Sequence, residues 1–171
     1  DVADGFGGGA TIARKLEIMR DSRIGAYGVL ALIVVVATRI FALAAVIDTS
    51  HGLGPMLAII AIAAQSRAFM GLAMYILPNA RADGAAASAG RPTRASIDQL
   101  VASTAIISIP LMWWAAGLWA IIATTVLATF ALWLFTRVCR KQIGGQTGDV
   151  LGATQQIIEV VQLLTLAAVL A

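Results

Sequence analysis

The chain has 171 residues, of which 60% are apolar and only 12% charged, with 12 Lys and Arg against 9 Asp and Glu; its mean hydropathy is +0.88. A soluble domain runs at about 45–50% apolar and about 25% charged, so a soluble globular fold is excluded, and this much apolar surface equally excludes a disordered chain. A net charge of +3 is too weak to argue for nucleic acid, and the single cysteine, Cys139, excludes an internal disulfide framework or a cysteine-based zinc site.

The chain opens on Asp1-Val2-Ala3-Asp4-Gly5-Phe6-Gly7-Gly8-Gly9. Asp1 and Asp4 share one face if this stretch is helical. Such a pair suits Mg²⁺, a hard cation that combines one or two carboxylates with substrate phosphates. Gly7, Gly8 and Gly9 allow backbone N–H groups to approach an anion closely, although a glycine run alone describes a solvated loop equally well. Thr11 then caps a predicted helix with Ile12, Leu16 and Met19 on one face and Arg14, Lys15, Glu17 and Arg20 elsewhere. An amphipathic, cationic helix of this kind lies in the headgroup plane. It leads into Arg20-Asp21-Ser22-Arg23 at the mouth of the first span. Surface anchoring explains these cations but not the Asp21 embedded among them.

A bilayer core of about 30 Å needs roughly 20 apolar residues in a helix. Gly28–Ile47, Leu53–Leu77, Ile97–Gly117, Trp119–Val138 and Ala153–Ala171 meet that requirement. Short turns around Asp48 to Gly52 and at Gly117-Leu118 alternate with longer loops at Pro78–Ser96 and Arg137–Gly152. Within the first loop, Asp83 to Gly90 is low in complexity and reads as a plain linker. Arg14, Lys15, Arg20, Arg23, Arg81, Arg91, Arg94, Arg137, Arg140 and Lys141 all fall on one side of this alternation, which the positive-inside rule makes cytoplasmic. The tryptophans near the third and fourth span ends fit an interfacial belt on the other side. The expected fold is all-α: a polytopic membrane helix bundle of five transmembrane helices plus an interfacial N-terminal helix. Residues 1–171 read as one integral membrane domain, with 1–27 holding the cytoplasmic motif and interfacial helix and 28–171 the bundle.

Two further features carry chemistry. Gly144-Gly145-Gln146-Thr147-Gly148-Asp149 leads into the last span, and glycines at a helix N-terminus make an anion site because orphan N–H groups and the helix dipole favour negative charge. Asp149 would be a further metal ligand or a base; as a helix entry alone, Thr147 or Asp149 is a cap. Arg39 and Arg67 lie at similar depth, about 17 Å and about 15 Å into their spans. Each costs roughly 2.5–3.5 kcal/mol at the bilayer centre on insertion scales. They are expected to face one cavity open to the cytoplasm, with Glu159 as a partner.

Asp1 to Gly9, then Glu17-Ile18-Met19-Arg20-Asp21-Ser22-Arg23-Ile24-Gly25, then Gly144 to Ala153 occur in the order found in one family. With Ser66-Arg67-Ala68 and Leu77-Pro78-Asn79-Ala80-Arg81-Ala82-Asp83-Gly84, the chain resembles the cobalamin synthases (adenosylcobinamide-GDP ribazoletransferases) over essentially its whole length. The resemblance implies a multi-pass enzyme of the bacterial inner membrane, its active site facing the cytoplasm. It would use Mg²⁺ to join adenosylcobinamide-GDP to α-ribazole or its 5′-phosphate, releasing GMP, in vitamin B12 biosynthesis. It also implies a further N-terminal membrane portion with additional His and acidic residues ahead of Asp1.

Transfer from a pyrophosphate requires positioning and charge neutralisation. On this reading Asp1, Asp4 and Asp149 hold Mg²⁺, and Asp21 completes that shell or acts as general base, as Asp149 also could. Gly7, Gly8, Gly9, Gly145, Thr147 and Gly148 would contact phosphates, with Arg14, Arg20 and Arg23 as cationic clamps. The partners expected are the two substrates and the lipid bilayer, with no nucleic acid. Small-residue runs at Ala42–Ala45 and Ala61–Ala64 permit close helix packing within the chain or in a homo-oligomer. Two rival readings are a transporter or channel lined by Arg39, Arg67 and Glu159, and a phospholipid-type CDP-alcohol phosphotransferase. The first is disfavoured by the few polar residues on the far side, the second by the absence of its Asp-Gly-Ala-Arg pattern.

Overall fold

The computed structural model describes residues 1–171 apart from the side chain of Ala85. Its helices are α1 (Val2–Gly8), α2 (Ile12–Ile18), α3 (Ala26–Thr49), α4 (Gly54–Ile76), α5 (Ala85–Ser88), α6 (Arg94–Ile143) and α7 (Gly148–Leu170). The expected all-α membrane bundle is what the chain forms. Its polarity is inverted relative to a soluble protein. Leu30, Ile33, Phe41, Ile106, Val126 and Phe130 are exposed on the outside, while Gln65, Ser108, Thr124, Thr154 and Gln162 are buried. In lipid this arrangement leaves apolar side chains against hydrocarbon and gives polar ones partners inside. Gln65 donates to Ser108 Oγ at 3.1 Å and accepts from Gln162, joining α4, α6 and α7 at mid-height.

Four helices, α3, α4, α6 and α7, are long and apolar enough to cross a membrane, where five spans are expected. The difference lies wholly in α6, whose 50 residues contain both the third and the fourth expected spans. A straight helix of that length would run about 75 Å. Instead Arg91, just before α6, donates to Tyr75 O at 2.7 Å, and Arg140, near its end, donates to Ile76 O at 3.0 Å. Both ends of α6 therefore meet the same end of α4, so the helix doubles back. The reversal is at Gly117, with φ 78° and ψ −172°, a conformation essentially confined to glycine. Trp113, Trp114 and Trp119 flank this corner and are exposed, as an interfacial belt requires.

α4, α6 and α7 form the inner bundle, with α3 against α7. Ala42 and Val46 of α3, Ala58, Ala61 and Ile62 of α4, Met112 and Ala120 of α6, and Leu163 and Leu166 of α7 make one buried cluster. Small residues at these contacts let the backbones approach closely. Arg39 pairs with Glu159, as expected, and donates to Gln156 Oε1 at 2.6 Å. The expectation that Arg39 and Arg67 share a cavity is not met. Arg39 and Glu159 line a space of about 320 Å³ with Val36, Ile40, Leu43 and Ile62. Arg67 is instead exposed and donates to Ala63 O of its own helix at 2.8 Å.

Candidate active site

α1, α2, the start of α3, the segment after α4 and the start of α7 gather at one end of the molecule. An apolar cluster holds them there: Met19, Leu77, Cys139, Ile143 and Val150 are buried, and Val2, Phe6 and Leu16 pack against them. The acidic stretches at the two ends of the sequence thus share a single face. Thr11 caps α2 as expected, its Oγ1 accepting from Arg14 N at 3.2 Å. Lys15 donates to Gln142 Oε1, fastening α2 to the end of α6.

Asp4 has a position that its local pattern does not announce. It is only 7% exposed, and its two carboxylate oxygens accept from Gly25 N and Gly28 N, each at 2.8 Å. These N–H groups belong to the first turn of α3, where an α-helix lacks internal partners, and a carboxylate there is also favoured by the helix dipole. The Gly28 N–H is the main influence holding the Asp4 carboxyl below its usual range; burial opposes it, and Gly25 assists. Asp4 therefore serves in this structure as a cap for α3 supplied from α1.

Asp21 and Arg23 make a tight local pair. The Arg23 guanidinium donates to Asp21 Oδ2 at 2.8 Å and to Oδ1 at 3.1 Å, and Arg23 N adds a bond at 3.1 Å. The side-chain bond to Arg23, then the backbone bond, pull the Asp21 carboxyl down to about 2, and the Arg23 guanidinium is pushed up in return. Asp21, Arg23, Arg14, Glu17, Asp4 and Gly8 line a surface cavity of about 640 Å³ between α1, α2 and the start of α3.

A second cluster lies at the entry to α7. Gln146 N donates to Pro78 O at 2.8 Å and Ala80 N donates to Gln146 O at 2.9 Å, while the Gln146 side chain donates to Asn79 Oδ1. Gly145 permits this contact, because a Cβ there would lie 2.1 Å from Pro78 O. Thr147 is the cap of α7, accepting from Val150 N at 3.4 Å, and its hydroxyl donates to Asp149 Oδ2 at 3.2 Å. Arg81 Nη2 stands 3.8 Å from Asp149 Oδ2, and Arg81 Nε stands 3.9 Å from Asp83 Oδ1. Arg20 Nη2 completes the series, donating to Asp83 Oδ1 at 2.6 Å. Arg20, Asp83, Arg81 and Asp149 thus form an alternating chain of charge from the end of α2 to the start of α7.

The expected clamps are engaged elsewhere: Arg14 with Glu17 at 2.8 Å, Arg20 with Asp83 and Arg23 with Asp21. Of the expected phosphate-contacting glycines, Gly7 abuts the Tyr27 ring, Gly8 faces Ile18 and Gly9 abuts Lys15, whereas Gly148 opens on free space. Sequence reasoning passed over Arg81, Asp83, Asn79 and Gln146. For Asn79, Arg81 and Asp83 the signal was the stretch Leu77 to Gly84, which carried resemblance but no assigned role, and Gln146 sits within the Gly144 to Asp149 stretch among residues that were given one.

Mg²⁺ takes oxygen ligands, and one or two carboxylates suffice when phosphates complete its shell. Among the described residues no three His, Cys, Asp or Glu side chains converge. Asp1 is exposed at the head of α1, which packs near α7, and Asp149 has only Oδ2 engaged. Asp1 and Asp149 each keep a carboxylate oxygen free of hydrogen bonds among the described residues, whereas Asp4, buried with both oxygens on backbone N–H groups, has none to offer an ion.

The family model described as cobalamin-5-phosphate synthase matches residues 1–167. An adenosylcobinamide-GDP ribazoletransferase of Rhizobium etli (strain CIAT 652) is 44% identical over 170 residues, covering 99% of this chain and 65% of the relative. Proteins of the same name from Mesorhizobium japonicum and Bradyrhizobium diazoefficiens are each 43% identical, over 99% and 98% of this chain and 62% of either relative. The chain thus spans somewhat under two thirds of the length of these curated relatives. No solved structure matches.

Proposed function

The chain belongs to the cobalamin-5-phosphate synthase family, and from that premise we propose that it works in joining adenosylcobinamide-GDP to α-ribazole or its 5′-phosphate, with release of GMP. The observation that carries this reading is the gathering of α1, α2 and the start of α7 on one face around the Met19–Val150 cluster, which places motifs from both ends of the chain together. The face would lie on the cytoplasmic side of the inner membrane, since the cations outside the spans collect there.

In the reaction the ribazole hydroxyl oxygen forms a bond to the phosphorus attached to cobinamide. The bond from that phosphorus to the GMP oxygen breaks, GMP leaves with the electron pair, and the hydroxyl proton passes to a base. Catalysis of this kind depends on positioning and on charge at the phosphoryl group. Asp149 is the base this arrangement supports: it is partly exposed and has an oxygen free of hydrogen bonds among the described residues. Asp21 is a poor base at a pKa of about 2, far from the operating pH at which proton transfer is efficient. Its role is that of a permanent negative charge holding Arg23. Mg²⁺, when held by Asp1 and substrate oxygens, would neutralise diphosphate charge.

The test is GMP release from adenosylcobinamide-GDP and α-ribazole by the protein in lipid nanodiscs, with Mg²⁺ and with excess chelator. Release with Mg²⁺ alone supports the proposal. No release under either condition, or transport of a solute in sealed vesicles without bond cleavage, overturns it.

A further inference from the structure

Three buried side-chain atoms have no hydrogen-bond partner among the described residues: Arg81 Nη1, Gln146 Oε1 and Gln162 Oε1. Gln162 lies in the bundle interior, but the other two fall at one junction, where Ala80 N bonds to Gln146 O. Arg81 is the unusual member. A guanidinium offers five donors in a fixed fork, and a buried one without partners carries a desolvation cost. The Arg81 side chain is only 18% exposed, and its two carboxylate neighbours stand at 3.8 and 3.9 Å, beyond hydrogen-bond reach. The three arginines expected as clamps are, by contrast, each paired within 2.8 Å. The fork of Arg81 faces Asp149 at the first turn of α7, a helix of 23 residues whose positive dipole end favours an anion.

We propose that Arg81 is the phosphate receptor of this face: its guanidinium, held only loosely by Asp83 and Asp149 and with Nη1 free of any hydrogen bond among the described residues, takes the oxygens of a diphosphate beside the start of α7. A planar, always-charged fork matches phosphate oxygens in a bidentate manner that a lysine cannot reproduce. The proposal rests on the transferase reading for the identity of the diphosphate carrier, but the receptor itself requires only phosphoryl oxygens. Gly148, the first residue of α7, has open space where its Cβ would be.

The probe is inorganic pyrophosphate, titrated calorimetrically into the protein in phosphatidylcholine nanodiscs. Wild type binds, and Arg81→Gln binds roughly tenfold to a hundredfold more weakly, the loss expected for charge-assisted hydrogen bonds. Should Arg81→Gln fail to fold, Arg81→Lys keeps the buried charge without the fork, and a severalfold loss is expected there. In wild type, pyrophosphate also slows labelling of Arg81 by phenylglyoxal. Affinity that is unchanged in Arg81→Lys, or labelling indifferent to pyrophosphate, overturns the proposal. So does Arg81 protection by phosphatidylglycerol nanodiscs alone, which would assign the fork to a lipid headgroup. Arg81-dependent pyrophosphate binding without GMP release sinks the transferase reading and leaves the receptor standing. GMP release with Arg81-independent pyrophosphate binding does the reverse.

Discussion

Asp4 and Gly28 are joined by a 2.8 Å hydrogen bond from the Gly28 N–H to a buried carboxylate oxygen, so α1 terminates the first turn of α3 in place of a residue of α3 itself. The partner bond from Gly25 N is of equal length. Asp4→Asn leaves one acceptor for two donors, so one N–H at the start of α3 loses its partner. An orphaned buried donor costs about 1–3 kcal/mol. The expected result is faster amide hydrogen exchange at Gly25 and Gly28 and a lower melting temperature. Gly28→Ala is expected to be worse, because a Cβ there would sit 2.2 Å from Asp4 Oδ2 and would expel the carboxylate. If exchange at these amides is unchanged in Asp4→Asn, the capping role is refuted.

The bundle is legible in the sequence because its signals are local. Apolar runs mark the spans, Thr11 marks the start of α2, and Gly117 marks the reversal of α6. The third and fourth expected spans are joined so tightly at that glycine, with no intervening loop, that they form the two limbs of α6. The site is less legible for the opposite reason. Asp-x-x-Asp pairing suggests a cation, yet the partners of Asp4 lie 21 and 24 residues away and are backbone groups. Asp83, in a stretch that reads as a plain linker, finds Arg20 at a separation of 63 residues. Glycines at 7, 9 and 145 suit phosphates by composition, but their neighbours are Tyr27, Lys15 and Pro78. Close packing and anion binding use the same residue, and only the fold distinguishes them.

The Asp21–Arg23 pair has a defined pH window. The folded carboxyl titrates at about 2 against an ordinary value of 3.8. A depressed acid stabilises the folded form above its unfolded pKa and loses that contribution as pH falls through the folded value. The pair is therefore fully effective above about pH 4 and is lost between there and about pH 2. A carbon-13 titration of the Asp21 carboxyl should show a midpoint near 2 in wild type. In Arg23→Gln it should rise toward the ordinary range, since the side-chain bond to Arg23 is the largest cause. An unmoved midpoint would remove the argument against Asp21 as the base.

Gly117→Ala addresses the corner of α6. With φ at 78° and ψ at −172°, any L-residue is strained by roughly 1–3 kcal/mol, although no neighbour within 4 Å would clash with the new methyl. The expected outcome is reduced thermal stability in nanodiscs without loss of helical content, read by circular dichroism. Stability equal to wild type would mean that the two limbs are not set by this backbone conformation.

Asp149→Asn separates charge from shape at the candidate base. Asparagine keeps a carbonyl oxygen for the Thr147 hydroxyl, which now bonds Asp149 Oδ2 at 3.2 Å, so the cap of α7 is expected to survive. What is lost is the negative charge beside Arg81 and the ability to accept a proton. General-base catalysis contributes about 10²–10⁴-fold, so GMP release should fall by at least that lower bound while insertion and melting temperature stay near wild type. A change in KM alone would identify Asp149 as a group that places the substrate, because uniform binding leaves kcat untouched. Retained kcat would move the proton to another acceptor, and Asp21 is excluded from that role while Arg23 holds its pKa near 2. Asp149→Asn combined with Arg23→Gln therefore asks whether freeing Asp21 restores turnover; no recovery is expected, since Asp21 faces the cavity of α1, α2 and α3 rather than the fork of Arg81.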